Sequence, residues 1–332
     1  MTNAQQYYVS IVLIFMLAGL ITAWGFNLQF GYTGIVNLSF IVSQALGAYM
    51  TGLLSIGPAA PDSGQQYIFG ATLPFPLPLL GGALIGAVFA GVAGLVSVWR
   101  LRPEYVAIVT LVIAQGCLEL VGNYTPLLNG QQGLANIPQP LVDTLGLTGV
   151  DTYWAVAVIA AIAAVLSYVF VRQLGASPFG RRMRAVRENP LTASAVGIDP
   201  LSTRLLALLA GGFLAGLSGG ILASSLAAWG PSSWAVGEGF AILTALIVGG
   251  VANNLGAAVG AFVIGTLVTQ GILFLPPING NPNINGSGRW VIIGSLLLLF
   301  LWFRPRGLVP EPQARYPIPN ELSSAKVDEQ SQ

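Results

Sequence analysis

The sequence contains no histidine and only one cysteine, Cys117. The lack of histidine removes the usual proton shuttle and the most common metal ligand of proteins. A single cysteine cannot form a disulfide within the chain or a metal cluster. Charge is scarce as well, at 8% of the residues, against about a quarter in a typical soluble domain. A surface this poor in charge does not stay dissolved in water, so the sequence predicts a membrane protein without a metal site.

Catalytic motifs are lacking too. The sequence has no Walker-type phosphate loop, no dinucleotide fingerprint and no Ser/His/Asp set. We therefore expect no enzyme activity, no cofactor and no nucleic-acid partner. A chain of this kind hydrolyses no ATP, so any pumping must draw its energy from another subunit.

Long apolar runs fill most of the 332 residues, of which 54% are hydrophobic. A membrane-crossing helix needs about 20 apolar residues. On this basis we predict an all-α, polytopic transmembrane helical bundle of about nine spans (8–10). The candidate spans are roughly 8–26, 34–56, 77–98, 104–122, 152–171, 204–227, 239–252, 256–275 and 289–303. The polar and glycine-rich stretch 26–57 is predicted to hold either a continuous span or a broken helix.

The placement of positive charge predicts the orientation in the bilayer. Cytoplasmic loops carry an excess of Lys and Arg. If Arg100, Arg102, the loop 172–204 and the end of the chain are cytoplasmic, every Lys and Arg except Arg289 lies inside. The amino terminus is then outside, and the carboxyl terminus is cytoplasmic. The proline-rich, polar composition beyond the last span predicts a transmembrane permease domain over 1–308 and a disordered cytoplasmic tail over 309–332.

One long polar stretch interrupts the apolar runs, and we call it the elbow (residues 172–204). It contains six arginines: Arg172, Arg181, Arg182, Arg184, Arg187 and Arg204. Ser177, Asn189 and Asp199 each precede a proline, which is a helix-start signal because the side chain caps free N–H groups and proline lacks one. The elbow is predicted to form two surface helices, roughly 178–187 and 190–196, the second ended by Gly197. A folded basic elbow between spans predicts a docking surface on one face of the membrane.

Polar residues within the spans are candidates for a solute path, because they are costly there. Gln115, Glu119 and Asn123 share one helix face, which predicts either a polar cavity or subunit seam, or a hydrogen-bond network between helices. The segment Gly31, Tyr32, Thr33 and Gly34, with Asn37 and Ser39, is the second candidate. Free N–H groups at a helix break there would suit a carboxylate. An unbroken helix would instead make it an ordinary packing interface.

Three further features have two interpretations each. Arg289 either attracts an anionic solute or extends its charged group to the membrane surface from a helix end. Glu238 is placed to favour the positive end of a helix. Glycines spaced by four residues predict close helix contacts, either within this chain or with a partner subunit. They occur as Gly82 and Gly86, as Gly212, Gly216 and Gly220, and as Gly256 and Gly260.

Several motifs together resemble the LivM-type permeases of branched-chain amino acid ABC transporters. They are SPFGRRMRAVRENPLTASAVGID (177–199), GYTGIVNLSFIVSQALGAYM (31–50), LRPEYVAIVTLVIAQ (101–115), NGQQGL (129–134), ALIVGGVANNLGAAVGA (245–261) and FRPRGLV (303–309). The similarity covers roughly residues 8–309 in unbroken order. It implies that the elbow is similar to the loop that docks on the ATPase, with 190–196 as the coupling helix. The implied ATPase-coupling residues are Arg187, Glu188, Asn189, Pro190, Leu191, Thr192, Ala193, Ser194, Ala195, Val196 and Gly197.

The resemblance also implies partners and substrates. A LivH-type permease subunit would complete the pore, two cytoplasmic ATPases would drive it, and an extracytoplasmic binding protein would deliver the solute. The implied substrates are branched-chain and other neutral amino acids, or alternatively urea and short amides. A secondary transporter is a different possibility, for which Glu119 is the one clearly membrane-embedded carboxylate.

Overall fold

The computed structural model describes residues 3–59, 64–99, 103–142, 146–274 and 282–311. Arg100, Arg102 and most of the predicted tail, residues 312–332, lie outside these ranges. Within the described ranges seven helices are long and apolar enough to cross a membrane, and two shorter apolar helices accompany them. Each of the nine predicted spans thus has a counterpart, and the prediction of an all-α membrane bundle is confirmed.

The helices are numbered here in chain order. They are α1 (Asn3–Phe26), α2 (Phe40–Ile56), α3 (Leu77–Val98), α4 (Pro103–Asn123), α5 (Thr125–Leu128), α6 (Val150–Ala176), α7 (Pro178–Glu188), α8 (Pro190–Ala195), α9 (Pro200–Leu226), α10 (Val236–Gly249), α11 (Asn254–Gly260) and α12 (Pro282–Phe303). Two π-helical segments, Asn27–Gly31 and Ala261–Val268, continue α1 and α11. Short 3-10 turns cover Gly130–Gln132, Pro231–Ser233 and Gly271–Phe274.

Strand structure in the described residues amounts to two very short pairings. Leu134–Ala135 (β1) runs antiparallel to Ala228–Trp229 (β2), with Leu134 opposite Trp229. An isolated bridge joins Tyr67 to Leu128. These pairings connect the segments that follow α2, α4 and α9, and they leave the helical class unchanged.

Helix α9 is the centre of the bundle and packs against α1, α2 and α3. Glycines make this packing possible because they let helix backbones approach closely. A Cβ added at Gly86 would lie 2.6 Å from the carbonyl oxygen of Gly212, and Gly47 meets the backbone of Gly216. Of the two interpretations of the four-residue spacing, close contact within the chain is the one that the structure supports.

Substitution of Gly216 tests how tight this crossing is. The Cβ of Gly216→Ala would lie 3.0 Å from the backbone Cα of Ala83 and closer still to the carbonyl oxygen of Gly82. Backbone atoms cannot rotate away, so we expect a loss of about 1–3 kcal/mol, the usual cost of overpacking. The measurement is the apparent melting temperature of the purified protein in detergent. Gly265→Ala is the control, since nothing lies within 4 Å of its added Cβ, and equal melting temperatures would contradict the tight crossing.

The stretch 26–57 contains a break in the helix, which is one of the two alternatives that the sequence predicted for it. The helix of α1 continues through the π-helical turn to residue 33, and residues 34–37 are not helical. Gly34 turns the chain with φ +75°, and its N–H donates to the carbonyl oxygen of Phe30 at 2.9 Å. Helix α2 then begins at Phe40. The break lies at the end of α1, next to the elbow.

The chain folds back on the bundle after α12. The N–H groups of Leu308 and Val309 donate to the carbonyl oxygens of Val248 and Gly249 at 2.8 and 2.9 Å. The side-chain amide of Asn253 donates to the carbonyl oxygen of Pro310 at 2.8 Å. The segment 304–311 is therefore seated at the turn between α10 and α11, and it brings Glu311 to the elbow.

Candidate functional site

The elbow contains two helices, α7 and α8, close to the predicted bounds. The side-chain oxygens of Ser177, Asn189 and Asp199 each accept hydrogen bonds from backbone N–H groups two or three residues further on, at 3.0–3.3 Å. Proline follows each of them, so the caps form as predicted. Hydrogen bonds from Ser202, and then from the N–H of Leu201, hold the pKa of the Asp199 carboxyl below its usual value. Asp199 therefore stays ionised and caps α9.

Helix α8 ends in a complete glycine cap. The N–H of Gly197 donates to the carbonyl oxygen of Ser194, and that of Ile198 donates to Ala193, both at 3.0 Å. These two bonds form a Schellman motif, which needs a left-handed residue at its turn. Gly197 supplies it with φ +83°. The short helix is thus fixed at both ends.

The outer face of α8 is exposed and partly apolar. The side chain of Leu191 is 83% exposed and that of Val196 is 71% exposed, whereas Ala193 is 3% exposed and faces the elbow. Thr192, Ser194 and Ala195 are exposed as well. Leu191 and Val196 are thus apolar side chains held outward on a helix that is capped at both ends, and docking of a partner on this helix remains a prediction. We call Leu191, Thr192, Ser194, Ala195 and Val196 the α8 face.

The arginines of α7 tie the elbow to two other parts of the chain. Arg187 donates from Nη1 to the carbonyl oxygen of Gly31 at 2.7 Å and from Nη2 to Oε2 of Glu311 at 2.8 Å. Arg184 lies 3.8 Å from Glu311, and its guanidinium is 5.3 Å from the ring centre of Tyr32. Met183 and Val186, fully buried, attach α7 to the bundle. These contacts connect the elbow directly to the end of the first span.

The structure places Gly31, Tyr32, Thr33 and Gly34 against this elbow. Gly34 packs on the side chain of Arg187, and the hydroxyl of Tyr32 lies 3.4 Å from Oδ1 of Asn254. The hydroxyl of Thr33 donates back into its own helix, to Gln29. These residues form the joint between α1 and the elbow, and their place in a solute path stays a prediction.

Asn37 and Ser39 belong to a separate, buried network. Asn37 donates from Nδ2 to Oε1 of Gln29 at 3.0 Å, and its Oδ1 accepts from the N–H and the hydroxyl of Ser39 at 3.1 and 2.7 Å. The N–H of Leu38 donates to the hydroxyl of Thr110 on α4 at 3.0 Å. These groups use their hydrogen bonds on one another, as buried polar groups usually do. The network joins α1, α2 and α4 at the break.

Gln115, Glu119 and Asn123 lie on the outward face of α4. Nε2 of Gln115 donates to Oε1 of Glu119, and Nδ2 of Asn123 donates to Oε2, both at 3.0 Å. All three residues are exposed. The network lies along a single helix, so the predicted alternative of hydrogen bonds between helices of this chain is wrong. The other alternative, a subunit seam or a polar cavity beside α4, remains a prediction.

Sequence reasoning missed a buried cluster inside the bundle. The hydroxyls of Thr22 and Ser218 are 2.7 Å apart, and Nε2 of Gln44 lies 3.2 and 3.1 Å from them. Arg289, predicted to lie at a helix end or to attract an anion, forms an ion pair of 3.0 Å with Glu238. Only three-dimensional packing brings the residues of the cluster, and those of the ion pair, together. In the sequence each of them is recognisable only as a polar residue in an apolar run.

In the described ranges no group of three or more His, Cys, Asp or Glu residues is arranged to hold a metal ion. The described residues instead show a rigid, exposed helix α8, contacts between the elbow and the end of α1, and polar groups within apolar helices.

Comparison with known proteins shows the family to which the chain belongs. Residues 8–301 match the family model described as the branched-chain amino acid transport system permease component. The chain belongs to this family. It is a multi-pass membrane permease subunit of the ABC transporter class.

Named relatives of the permease are similar along most of its length. It is 24% identical to the high-affinity branched-chain amino acid transport system permease protein LivM of Escherichia coli K12, over 94% of this chain and 71% of the relative. It is 26% identical to the probable LivM of Methanocaldococcus jannaschii, over 91% and 93%. It is 27% identical to the nucleoside ABC transporter permease NupC of Lactococcus lactis, over 82% and 84%. No solved structure gives a significant match.

Proposed function

We propose that this permease is one of two membrane subunits of an ATP-driven importer of branched-chain or other neutral amino acids. A relative of about the same length, from Methanocaldococcus jannaschii, is named a probable branched-chain amino acid transport permease. The observation that carries the mechanism is the α8 face, a rigid and exposed surface on the polar elbow. Two ATPase subunits and an extracytoplasmic solute-binding protein complete the transporter.

The elbow lies in the cytoplasm in this proposal. The positive-inside rule supports that orientation, because the elbow carries six arginines whereas the opposite end of α10 meets the single arginine Arg289. It follows that the permease is in the cytoplasmic membrane of its cell with the carboxyl end inside. The permease domain covers 1–308, the loop 172–203 is its coupling element, and 309–332 is a cytoplasmic tail.

Coupling follows from the contacts of the elbow. Closure of the ATPase pair moves the docked α8 face, and α7 moves with it. Arg187 passes the movement to the carbonyl oxygen of Gly31, at the end of the first span. The adjoining residues Tyr32, Thr33 and Gly34 share that joint. The coupling residues proposed are Arg187, Glu188, Asn189, Pro190, Leu191, Thr192, Ala193, Ser194, Ala195, Val196 and Gly197.

The second permease subunit, of the LivH type, covers the outward face of α4. Glu119 is exposed there with Gln115 and Asn123 beside it. A carboxylate facing hydrocarbon is costly, and such residues usually face a bundle interior or a wet path. The translocation path therefore runs along this contact between the two subunits. The network of Asn37 and Ser39, at the break after α1, stabilises the helices beside the path. The bilayer surrounds the remaining apolar surface.

An uptake experiment tests the substrate. The permease is co-expressed with the subunits that co-purify with it, and uptake of radiolabelled leucine is measured with its binding protein present. Competition with valine, alanine, urea, a nucleoside and xylose then ranks the solutes. We expect valine to compete with the labelled leucine and urea to have no effect. Nucleosides are the second candidate because of the NupC relative, and competition by a nucleoside alone would contradict amino acid import.

A control with the ion gradient separates this proposal from a secondary transporter. Uptake should persist when an ionophore collapses the gradient while ATP is maintained. Loss of uptake under that condition would favour the alternative in which Glu119 is the coupling carboxylate.

A further inference from the structure

A small, partly open cavity of the permease is lined mainly by residues of α1, α2, α10 and the π-helical segment Ala261–Val268. Its volume is about 220 Å³, below the roughly 300–1,000 Å³ of pockets for drug-sized ligands. The cavity therefore suits a small solute. None of its lining residues belongs to α4 or to the elbow, so it is distinct from the seam and from the docking surface.

One wall of the cavity carries an ion pair. Nη2 of Arg289 donates to Oε1 of Glu238 at 3.0 Å, and the two side chains are 25% and 31% exposed. The remaining walls include apolar side chains, among them Leu222, Ile242 and Ile264. The cavity thus offers one positive group, one negative group and an apolar surface beside them.

Two residues that line the cavity each carry a buried hydrogen-bond donor without a partner among the described residues. The donors are the indole Nε1–H of Trp229, in a residue 3% exposed, and the Nε–H of Arg289. Buried polar groups without partners are rare and call for an explanation. Both groups are donors, so a ligand that satisfies them must present acceptor oxygens, as a carboxylate does.

We propose that this cavity binds a neutral α-amino acid as its zwitterion. The carboxylate of the ligand accepts from Arg289 and Trp229, the ammonium donates to Glu238, and the apolar side chain lies against the aliphatic wall. Entry of the zwitterion separates the ion pair, yet each protein charge gains an opposite charge. A carboxylate or an amine alone would leave one charge unpaired, which is costly in a low dielectric. Urea would compensate neither charge.

This inference rests on the proposed import of neutral amino acids and adds a recognition site within this subunit, apart from the path proposed along α4. The polar cluster of Thr22, Gln44 and Ser218 supports the assignment, because Thr22 and Gln44 also line the cavity. The cavity thus contains polar groups in addition to the ion pair.

The test measures binding of radiolabelled leucine to the complex as purified, reconstituted in lipid nanodiscs. Competitors are valine, 4-methylpentanoate, 3-methylbutylamine and urea. We expect valine to compete, whereas the acid, the amine and urea do not compete at a 100-fold excess (about 2.7 kcal/mol). The wild-type competition series tests whether the ligand must carry both charges, and the variants below test whether this cavity is the site. Competition by the acid or the amine as strong as that by valine would overturn the proposal.

Variants locate the site. Arg289→Gln and Glu238→Gln should each weaken leucine binding by about 30-fold, because each leaves one end of the ligand without its charge partner. Trp229→Phe should weaken it by about tenfold, the loss of one hydrogen bond to a charged group. Arg304→Gln, at the end of α12, is the matched control and should bind as wild type. The melting temperature of each variant separates weaker binding from unfolding.

The outcomes distinguish this inference from the proposed function. If leucine is imported but Glu238→Gln and Arg289→Gln bind and transport it as wild type, the cavity is not the site and the importer stands. If no neutral amino acid is imported at all, the proposed function is wrong, and the inference that rests on it is wrong as well. Absence of saturable leucine binding to an active complex would also overturn the inference.

Discussion

Replacing Leu191 by aspartate should abolish solute uptake while the amount of permease in the membrane stays unchanged. Leu191 is 83% exposed on α8 and has no role in the core, so the fold should tolerate the change. In the assembled transporter the carboxylate would enter an apolar contact with the ATPase. Loss of a central contact of this kind costs about 2 kcal/mol or more, so uptake should fall at least about 30-fold. The measurement is initial-rate uptake of leucine, normalised to permease in the membrane.

Matched variants control this result. Leu191→Met keeps an apolar side chain and should retain uptake, because swaps of similar volume are tolerated best. Val196→Asp, 71% exposed on the same face, should behave like Leu191→Asp. The ATPase should no longer co-purify with either aspartate variant. Normal uptake by both aspartate variants would remove α8 from the docking surface.

Arg187→Ala should uncouple the transporter rather than prevent its assembly. The guanidinium joins α7 to the carbonyl oxygen of Gly31 and to Glu311, whereas the α8 face does not involve it. We therefore expect the ATPase to bind and hydrolyse ATP while uptake falls about tenfold or more, the loss of two hydrogen bonds to one charged group. The measurement compares ATP hydrolysis with leucine uptake in proteoliposomes.

Two further variants show which contact of Arg187 matters. Glu311→Gln removes the ion pair but leaves the bond to Gly31, so we expect a milder loss of uptake than in Arg187→Ala. Arg182→Ala, an exposed residue on the same helix, should transport normally. If Glu311→Gln and Arg187→Ala lose uptake equally, the joint with α1 is not the coupling contact.

The elbow was predictable because its signals are local. Ser177, Asn189 and Asp199 each cap a helix through groups two or three residues away, and each is followed by proline. Such information is contained in a few consecutive residues. The spans were predictable for a similar reason, since hydropathy and the length needed to cross a bilayer are properties of single segments.

The long-range arrangement was not predictable in this way. Gln44 and Ser218 are 174 residues apart, and Glu238 and Arg289 are 51 residues apart. No periodicity or spacing in the sequence indicates such pairs. The same holds for the return of the chain after α12, where Glu311 reaches Arg187 across 124 residues. Packing of the whole bundle decides these contacts.

The group from Gly31 to Gly34 shows what composition alone can and cannot predict. Its glycines correctly indicated a break in the helix, and Gly34 adopts the left-handed turn that ends it. Composition gives no depth in the membrane, however. Only the contact of Arg187 with Gly31 places this break at the elbow.

Site-directed labelling of the α8 face tests the central claim most directly. Leu191→Cys is introduced in a Cys117→Ser background and treated with a membrane-impermeant maleimide. The account predicts labelling in inverted vesicles, protection from labelling when the ATPase is bound, and no labelling of intact cells. Labelling of Leu191→Cys from outside intact cells would contradict it.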